Sequence, residues 1–528
     1  MRDFHQPTRS AVRATNGMVA TSQPSSTLAG IEMLRAGGNA LDAAVAACAV
    51  QCVTEPGSTG IGGDCFCLYK PANGPLVALN GSGRAPAAAS AEWYADRGIT
   101  QLDTTSPHAV TVPGAVGAWD ALLREHGTKS LGECLQWAIG YAENGFAVHD
   151  RAALDWRLAE DKLSIDPAAK AILLRNGGKA PKEGTVYRQP ELAETLKKIA
   201  KGGRDAFYTG EVAEDLVGHL RAMGGLHTLD DFAASQPEYV TPIVTDYKGY
   251  QVYECPPNGV GIIALLMLNM WEGFQQPDDP LAVTRLHRMA EVSRLAIRDR
   301  NAFVADPRMA DVPQDLLLSK GYAERLRALI DDNKAMPELP PPGLDKNGDT
   351  VYLCVVDRDG NACSFINSTF HSFGSGIVGP KSGVVLQNRG WGFTLEQGHP
   401  NAIAGGKRPM HTIIPGMLMQ DGEAVMPFGV MGGNFQPIGH TWVLSNMLDY
   451  GMDPQAAIAL PRVMSYGGKL ELETTIGPKM ASELRALGHD CEYLVRPHGG
   501  GQAIWIDRKE GVLTAGSETR KDGCALGY

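Results

Sequence analysis

The stretch Thr350-Val351-Tyr352-Leu353-Cys354-Val355-Val356-Asp357 decides the fold, because it is a continuous apolar run that starts directly after a proline-rich segment. A run of this length without polar alternation predicts a β-strand that is buried on both faces. Turn residues occupy positions 357–361, and residues 362–367 are predicted to return as a second strand. The sequence therefore predicts a deeply buried β-hairpin at this point of the chain.

The segment before this strand, residues 336–349, has the composition of a flexible linker and contains three consecutive prolines. A cut between Asp349 and Thr350 would leave an α-amine beside the Thr350 hydroxyl. An α-amine has a reference pKa of about 8, so it can act as a general base near neutral pH. The junction of linker and strand therefore favours a threonine nucleophile that is released by cleavage.

Elements upstream of the linker alternate between helices and strands. Apolar periodicity predicts helices at 27–53, 116–144, 189–224 and 281–305, and strands at 65–69, 76–79 and 242–253. Gly60-Ile61-Gly62-Gly63 resembles a phosphate-binding loop but lacks the Lys-Ser/Thr ending, so we interpret it as a tight turn packed against a site.

Composition excludes several classes of protein. The chain has 528 residues, 44% of them hydrophobic, and a formal net charge of -11, which argues against global disorder and against nucleic acid as a partner. No signal peptide and no membrane-spanning run is found, so a cytoplasmic protein without membrane association is expected. No ligand set for a metal is visible, and we expect neither metal nor cofactor.

Several further stretches are similar to the γ-glutamyltransferase family of N-terminal nucleophile hydrolases. They are Gly37-Gly38-Asn39-Ala40-Leu41-Asp42, Glu55-Pro56 through Gly63, Val112-Pro113-Gly114, Phe373-Gly374-Ser375-Gly376 and Gly405-Gly406-Lys407-Arg408-Pro409. The resemblance covers nearly the whole chain and implies an α+β fold, a four-layer αββα sandwich. It also implies a precursor that cleaves itself into a large subunit, residues 1–349, and a small subunit, residues 350–528. These subunits would form one intertwined heterodimer, with higher oligomers left open.

The resemblance assigns catalytic roles to four positions. Thr350 matches the nucleophile that follows the cleavage site, and Ser368 matches a hydroxyl residue that hydrogen-bonds the nucleophile. Gly432 and Gly433 match the pair whose backbone N–H groups form the oxyanion hole, a large catalytic term in acyl transfer.

The residues that would bind a glutamyl α-amino acid depart from the family pattern. The position of the family's carboxylate-binding Arg is Ser82, with Arg84 two residues later, and the family's Asn is Phe370. The Gln and Asp that bind the α-amino group correspond to Arg389 and Gly392. A pair of serines corresponds to His411 and Thr412. We therefore expect Arg84, Arg389, His411 and Thr412 to bind a substrate carboxylate, although either Arg could instead form a structural ion pair.

These departures favour a small amide substrate that carries a carboxylate and no α-ammonium group. Among relatives they fit the oxamate amidohydrolases of purine and ureide breakdown, which release oxalate and ammonia. The alternatives are a glutathione hydrolase or γ-glutamyltransferase with an altered pocket, and a cephalosporin-acylase-like enzyme. An unprocessed paralogue that only binds ligands is a further alternative, against which the presence of Thr350 and Ser368 argues.

Overall fold

The computed structural model describes residues 8–337 and 349–528. Most of the predicted linker, residues 338–348, lies outside the described residues. The strands are β1 (Val12–Ala14), β2 (Met18–Thr21), β3 (Asp64–Lys70), β4 (Val77–Gly81), β5 (Phe146–Ala147), β6 (Val186–Tyr187), β7 (Glu238–Val240), β8 (Ile243–Tyr247), β9 (Tyr250–Glu254), β10 (Asp349–Val356), β11 (Ala362–Phe370), β12 (Gly416–Gln420), β13 (Glu423–Met431), β14 (Val463–Tyr466), β15 (Lys469–Leu472), β16 (Cys491–Tyr493), β17 (Gly500–Asp507), β18 (Val512–Ser517) and β19 (Cys524–Gly527).

Helices alternate with these strands in the described sequence. They are α1 (Pro24–Arg35), α2 (Ala40–Thr54), α3 (Ala91–Ala95), α4 (Ala115–His126), α5 (Leu131–Cys134), α6 (Gln136–Asn144), α7 (Asp150–Leu158), α8 (Glu160–Leu163), α9 (Pro167–Leu173), α10 (Pro190–Tyr208), α11 (Glu211–Ala222), α12 (Leu229–Ala233), α13 (Gly261–Trp271), α14 (Val283–Phe303), α15 (Gln314–Leu318), α16 (Lys320–Arg327), α17 (Gln436–Leu448), α18 (Pro454–Ala459) and α19 (Pro478–Ala486).

Two seven-stranded sheets form the centre of the molecule. One has the order β1-β18-β17-β13-β12-β9-β8 and the other the order β19-β2-β10-β11-β3-β4-β7. Each sheet combines strands from both sides of the Asp349–Thr350 bond, as the predicted intertwined fold requires. The division into two subunits stays a prediction.

The strand that decides the fold lies between β2 and β11, near the middle of its sheet. Leu353 and Val355 pack on the helical side, while Tyr352 and Cys354 face the other sheet. All four side chains are buried, which confirms the predicted burial on both faces. The Tyr352 ring packs directly against Gly429 of β13, so the two sheets meet closely here.

Helices cover the outer faces of both sheets. α1 and α2 pack on the sheet that contains β10, and α13 and α17 pack on the sheet that contains β13. Both α2 and α13 are apolar nearly all round and completely buried, because each packs on its sheet and is also covered by neighbouring helices, α2 by α1 and α6 and α13 by α16 and α17. The layers therefore follow the αββα order that the resemblance implied.

Four predicted elements are divided in the structure. The stretch predicted as helical at 116–144 comprises α4, α5 and α6, and the stretch at 189–224 comprises α10 and α11. The predicted helix 27–53 is two helices, α1 and α2, and the predicted strand 242–253 is the hairpin β8–β9 with its turn at Lys248 and Gly249. Lys248 adopts a φ of +51°, which places it in the left-handed region typical of tight turns. Within the part of the chain that the structure describes, no helix is both long and apolar enough to cross a membrane.

Candidate active site

Thr350 lies where β10 and β11 lose their regular pairing. Asp349 pairs with Phe370 and Val351 pairs with Asn367, so one residue of β10 opposes two residues of β11. This is a β-bulge, a device that redirects side chains and that often occurs beside active sites. The bulge brings Thr350 Oγ1 to 3.1 Å from Ser368 Oγ, and both residues are buried.

Ser368 connects Thr350 to a buried cation. Its Oγ accepts a hydrogen bond from the backbone N–H of Phe370 at 2.9 Å and another from Nη2 of Arg389 at 3.1 Å. Arg389 also donates from Nη1 to Thr412 Oγ1 at 2.8 Å. Three of the predicted site residues, Ser368, Arg389 and Thr412, therefore form one hydrogen-bonded chain that begins at Thr350.

Arg389 carries a completely buried guanidinium. No carboxylate of the described residues lies within 4.0 Å of its nitrogens, and its Nε has no hydrogen-bond partner among them. Burial lowers the pKa of Arg389 to about 9, and the more distant Asp64 opposes this shift. The group is still mainly protonated at neutral pH. A buried charge of this kind is costly unless an anion pairs with it, so this position is suited to an anionic ligand.

Aromatic rings hold the guanidinium in place. The centre of the Phe370 ring lies 4.1 Å from Cζ of Arg389. The His371 ring stacks on the Phe370 ring, with 4.3 Å between the two ring centres. Phe370 adopts a φ of +79°, a conformation that is rare for a residue with a side chain and that costs free energy. This strained backbone places the Phe370 ring under Arg389, where a cation–π contact stabilises the charge.

His411 lies beside this cation but is already engaged. Its Nε2–H donates to Asp64 Oδ2 at 2.9 Å, and both residues are completely buried. Burial, and after it the nearby Arg389, lowers the pKa of His411 to about 4 against the opposing effect of Asp64. His411 is therefore neutral at pH 7. Its contacts make it a support for Asp64, and its prediction as a carboxylate ligand stays a prediction.

Asp64 is a buried residue beside the site that sequence reasoning missed. Its Oδ1 accepts hydrogen bonds from the backbone N–H groups of Gly83 and Gly114 and from Gln387 Nε2, all at 2.9–3.1 Å. Because His411 donates to its other oxygen, this carboxylate connects four segments of the chain next to the site. The one local indication in the sequence is that an acidic residue ends the glycine-rich loop. Its role could not be predicted, because its hydrogen-bond partners are distant in the sequence.

The glycine-rich loop itself has the structural role that the sequence indicated. A Cβ atom added to Gly63 would lie 2.3 Å from the carbonyl oxygen of Ser368. Only glycine allows this close approach, so the loop packs directly against the backbone of the hydroxyl residue.

Arg84 lies in an ion-pair cluster. Its Nη2 is 2.5 Å from Glu238 Oε1, and its Nη1 is 3.7 Å from Asp306. Glu238 also pairs with Arg308 and Arg408. The Arg84 charge is thus compensated within the protein, which is the alternative that the sequence left open. Its prediction as a carboxylate ligand is untested, and Arg389 is the better candidate.

Gly432 and Gly433 form the turn between β13 and α17. Their φ angles are +120° and +56°, which favour glycine, and a Cβ atom on Gly432 would lie 2.7 Å from Gly499 Cα. Gly432 lines a cavity of about 290 Å³ together with Ser372, which follows the end of β11. The turn therefore lies at the same end of the stacked sheets as the bulge. Thr350 itself, 1% exposed, is not among the residues that line this cavity.

The chain is similar to known proteins over nearly its full length. Residues 26–528 match the sequence model of the family described as gamma-glutamyltranspeptidase, another term for γ-glutamyltransferase. The chain is 37% identical to the glutathione hydrolase-like YwrD proenzyme of Bacillus subtilis and 34% identical to the oxamate amidohydrolase proenzyme of Klebsiella pneumoniae. Each match covers 98% of this chain and 99% of the relative. A crystal structure of cephalosporin acylase from Bacillus halodurans superimposes with a TM-score of 0.93 at 40% identity, covering 100% of this chain and 99% of that structure.

Proposed function

Because this chain belongs to the gamma-glutamyltranspeptidase family and has the fold of its hydrolases, we propose that it is a self-cleaving threonine amidohydrolase whose substrate carries a carboxylate beside the amide. Oxamate is the substrate that fits this description best. The proposal names Thr350 as the nucleophile and Asp349–Thr350 as the bond that is cut.

The observation that carries the proposal is the position of Arg389. Its guanidinium is buried, lacks a carboxylate partner among the described residues, and is separated from Thr350 Oγ1 by the Ser368 hydroxyl alone. A substrate carboxylate at this point would gain charge-assisted hydrogen bonds and would compensate the buried charge. An α-ammonium group in the same place would be repelled by the guanidinium.

The short path from Arg389 to Thr350 also limits how far the carboxylate can be from the scissile carbonyl. In oxamate the carboxylate is attached directly to the amide carbonyl carbon. In a γ-glutamyl amide, three carbons separate the carbonyl from the α-carboxylate, and that α-carbon also bears the ammonium. Asp64, the nearby acid, already accepts hydrogen bonds from two backbone N–H groups, Gln387 and His411, which makes it a poor partner for a substrate ammonium group.

Hydrolysis then follows from the residues in their proposed roles. The α-amine of Thr350 takes the hydroxyl proton while Oγ1 attacks the amide carbonyl carbon. The backbone N–H groups of Gly432 and Gly433 stabilise the oxyanion. The protonated amine gives its proton to the leaving nitrogen, and ammonia departs from an oxalyl ester on Thr350. Water, deprotonated by the same amine, opens this ester, and oxalate is released.

Self-cleavage would also open the site. In the uncut chain β10 continues from Thr350 to Asp349, and Thr350 is 1% exposed. Release of the new N-terminus would free the α-amine and allow the preceding segment to leave. The names of the relatives, which are proenzymes, support this step.

A second candidate function is hydrolysis of a glutaryl amide, favoured by the similarity to the cephalosporin acylase structure. A glutaryl group has no ammonium, as the Arg389 site requires, but its carboxylate is distant from the amide. Glutathione hydrolysis is supported by the names of other relatives and would require an ammonium site elsewhere.

The experiment that tests the proposal starts with the purified wild-type precursor and the Thr350→Ala variant. The wild type should separate into chains of 349 and 179 residues, the smaller beginning Thr-Val-Tyr-Leu, whereas the variant should remain one inactive chain of 528 residues. The processed protein is then screened with oxamate, glutathione and a glutaryl amide. A small chain that begins elsewhere, or turnover of glutathione alone, would reject the proposal.

A further inference from the structure

A second cluster of chemically active side chains lies on the helical layer outside the sheet that contains β13. His287 and Glu291 are one turn apart on α14, and His489 comes from the turn that joins α19 to β16. All three residues are buried, and one ligand atom of each lies within 4.8 Å of the other two. We propose that these three side chains bind a divalent transition-metal ion, with zinc as the best-fitting metal.

The side-chain chemistry fits zinc. Zinc in proteins is held by imidazole nitrogens and carboxylate oxygens, and two His with one Glu is a known three-ligand set that leaves one position for water. Magnesium and calcium prefer oxygen ligands throughout, so two imidazoles argue against them.

The hydrogen bonds around His287 prepare its ring for a metal. Its Nε2 lies 2.8 Å from the carbonyl oxygen of Asp331, which can only accept, so Nε2 carries the proton. Nδ1 therefore holds the lone pair, and it points at His489 Nε2 at 2.7 Å. Metal-bound histidines almost always donate their other N–H in this way. Without a metal, His489 Nε2–H donates a hydrogen bond to His287 Nδ1, and its proton lies where the ion would bind.

Metal binding requires a small change at His489. Tetrahedral ligands at zinc distances are about 3.3 Å apart, so the two nitrogens must separate by about 0.6 Å. His489 must also carry its proton on Nδ1 instead of Nε2. The residue lies in a turn and is 7% exposed, so its ring can adjust more easily than the helix-borne His287, which is 0% exposed.

Glu291 is held by two hydrogen bonds, and the three ligand atoms, which lie within 4.8 Å of one another, must approach to about 3.3 Å around the ion. Glu291 Oε1 accepts from Arg294 Nη1 at 2.6 Å, and Glu291 Oε2 accepts from the backbone N–H of Met336 at 2.8 Å. Each carboxylate oxygen has a second lone pair, so these bonds can persist when a metal binds. The positive charge of Arg294 weakens the attraction for a cation, which predicts moderate affinity.

The position of the cluster indicates a structural role. Glu291 and Arg294 together hold the backbone of Met336, and Ala335 donates to the carbonyl of Leu487. A metal ion would thus join α14, the His489 turn and the chain at 335–336 in one unit. None of its three ligands contacts Thr350, Ser368 or Arg389 in the described structure, so the ion would not take part in the amide chemistry.

The test uses the full-length processed protein and zinc alone, after treatment with a chelator. Calorimetric titration should show one zinc ion per heterodimer of large and small subunit, and the melting temperature should rise with zinc. His489→Gln and Glu291→Gln should bind at least about tenfold more weakly, since each removes one ligand. His219→Gln is the matched control, because His219 also pairs with a carboxylate, Asp166, but the described residues place no third ligand beside this pair. It should bind as the wild type does.

A measurement on the wild type alone guards against variants that fail to fold. Cobalt(II) added to the chelator-treated protein should give the intense visible absorption of a four- or five-coordinate site, and zinc should displace it. The proposal is overturned if the wild type takes up no zinc, if the cobalt protein shows only the weak absorption of the hydrated ion, or if folded His489→Gln binds zinc as tightly as the wild type.

Discussion

Thr350 and Ser368 face each other across a β-bulge, with their hydroxyl oxygens 3.1 Å apart. Regular pairing would place one residue of β11 opposite Thr350, whereas the bulge supplies two. Ser368 can therefore turn its hydroxyl toward Thr350 and also accept from Phe370 N–H and Arg389. The bulge thus connects the proposed nucleophile to the proposed carboxylate site through a single side chain.

Removing the Ser368 hydroxyl should slow both reactions of Thr350. Ser368→Ala deletes the hydrogen bond to the nucleophile and leaves Arg389 Nη2 without its acceptor. A hydrogen bond to a charged group contributes about 1.5–3 kcal/mol, which corresponds to a roughly ten- to hundredfold loss. Rates of self-cleavage on gels and kcat/KM for oxamate measure the two effects.

Ser368→Thr provides the control, because it keeps the hydroxyl in the same position. We expect it to restore most of both rates. If Ser368→Ala cleaves and turns over like the wild type, the hydroxyl pair has no part in the chemistry.

The close approach of Gly63 to Ser368 makes a second prediction. In Gly63→Ala the new Cβ would lie 2.3 Å from the Ser368 carbonyl oxygen, so the backbone of β11 must move. Overpacking of this kind costs about 1–3 kcal/mol of folding free energy. The displacement should also slow self-cleavage, because it shifts Ser368 away from Thr350. Thermal unfolding and the cleavage time course are the measurements.

Gly140→Ala is the matched glycine substitution. Gly140 lies inside α6, and a Cβ atom there would meet nothing within 4 Å. Because alanine is the better helix former, this variant should be about 0.5–1 kcal/mol more stable and should cleave normally. If Gly63→Ala and Gly140→Ala have the same melting temperature and the same rate of self-cleavage, the loop does not position Ser368.

Buried histidines should make the protein sensitive to mild acid. Burial lowers the pKa of His227 to about 4, against an ordinary value of 6.5, although its bond to the Val110 carbonyl opposes the shift. Between pH 6.5 and 4 the unfolded chain therefore binds more protons at this residue, and stability falls as the pH is lowered. The loss from His227 alone reaches about 3 kcal/mol near pH 4 and then levels off.

His227→Gln tests this assignment, since glutamine can still donate to Val110 but does not titrate. The melting temperature of the variant should fall less steeply than that of the wild type between pH 6.5 and 4. Identical slopes would mean that His227 is not responsible for the acid sensitivity.

Much of the fold was predictable because it depends on local pattern. The uninterrupted apolar run of β10 and the all-round apolar α2 are features that neighbouring residues alone define. The sequence predicts one strand where the structure has the hairpin β8–β9, because Lys248-Gly249 is a weak turn signal between two segments that both favour β-structure. Its two strands are otherwise continuous in composition.

The site was less predictable, because its contacts join distant segments. The candidates Thr350, Ser368, Arg389 and Thr412 came from matching positions to a family, and the structure brings them into one chain of hydrogen bonds. The partner of Arg84, Glu238, lies on β7, so no local signal distinguished an ion pair from a substrate ligand. No local signal indicated the contact of His489 with His287 of α14 either, because the two residues are distant in the sequence.

A control for the role of Arg389 is the exposed Arg308, which pairs with Glu238 at the protein surface. Arg308→Gln removes the same charge without touching the buried hydroxyl chain. It should leave the preference among substrates unchanged, because its charge is screened by solvent.

The most direct test of the central claim is kcat/KM for oxamate against kcat/KM for a γ-glutamyl anilide, measured on the same preparations of wild type and Arg389→Gln. We predict that the wild type prefers oxamate, and that Arg389→Gln loses about ten- to hundredfold of the oxamate value while still cleaving itself. If the wild type prefers the γ-glutamyl compound, or if Arg389→Gln hydrolyses oxamate as well as the wild type does, the carboxylate site is not the one described.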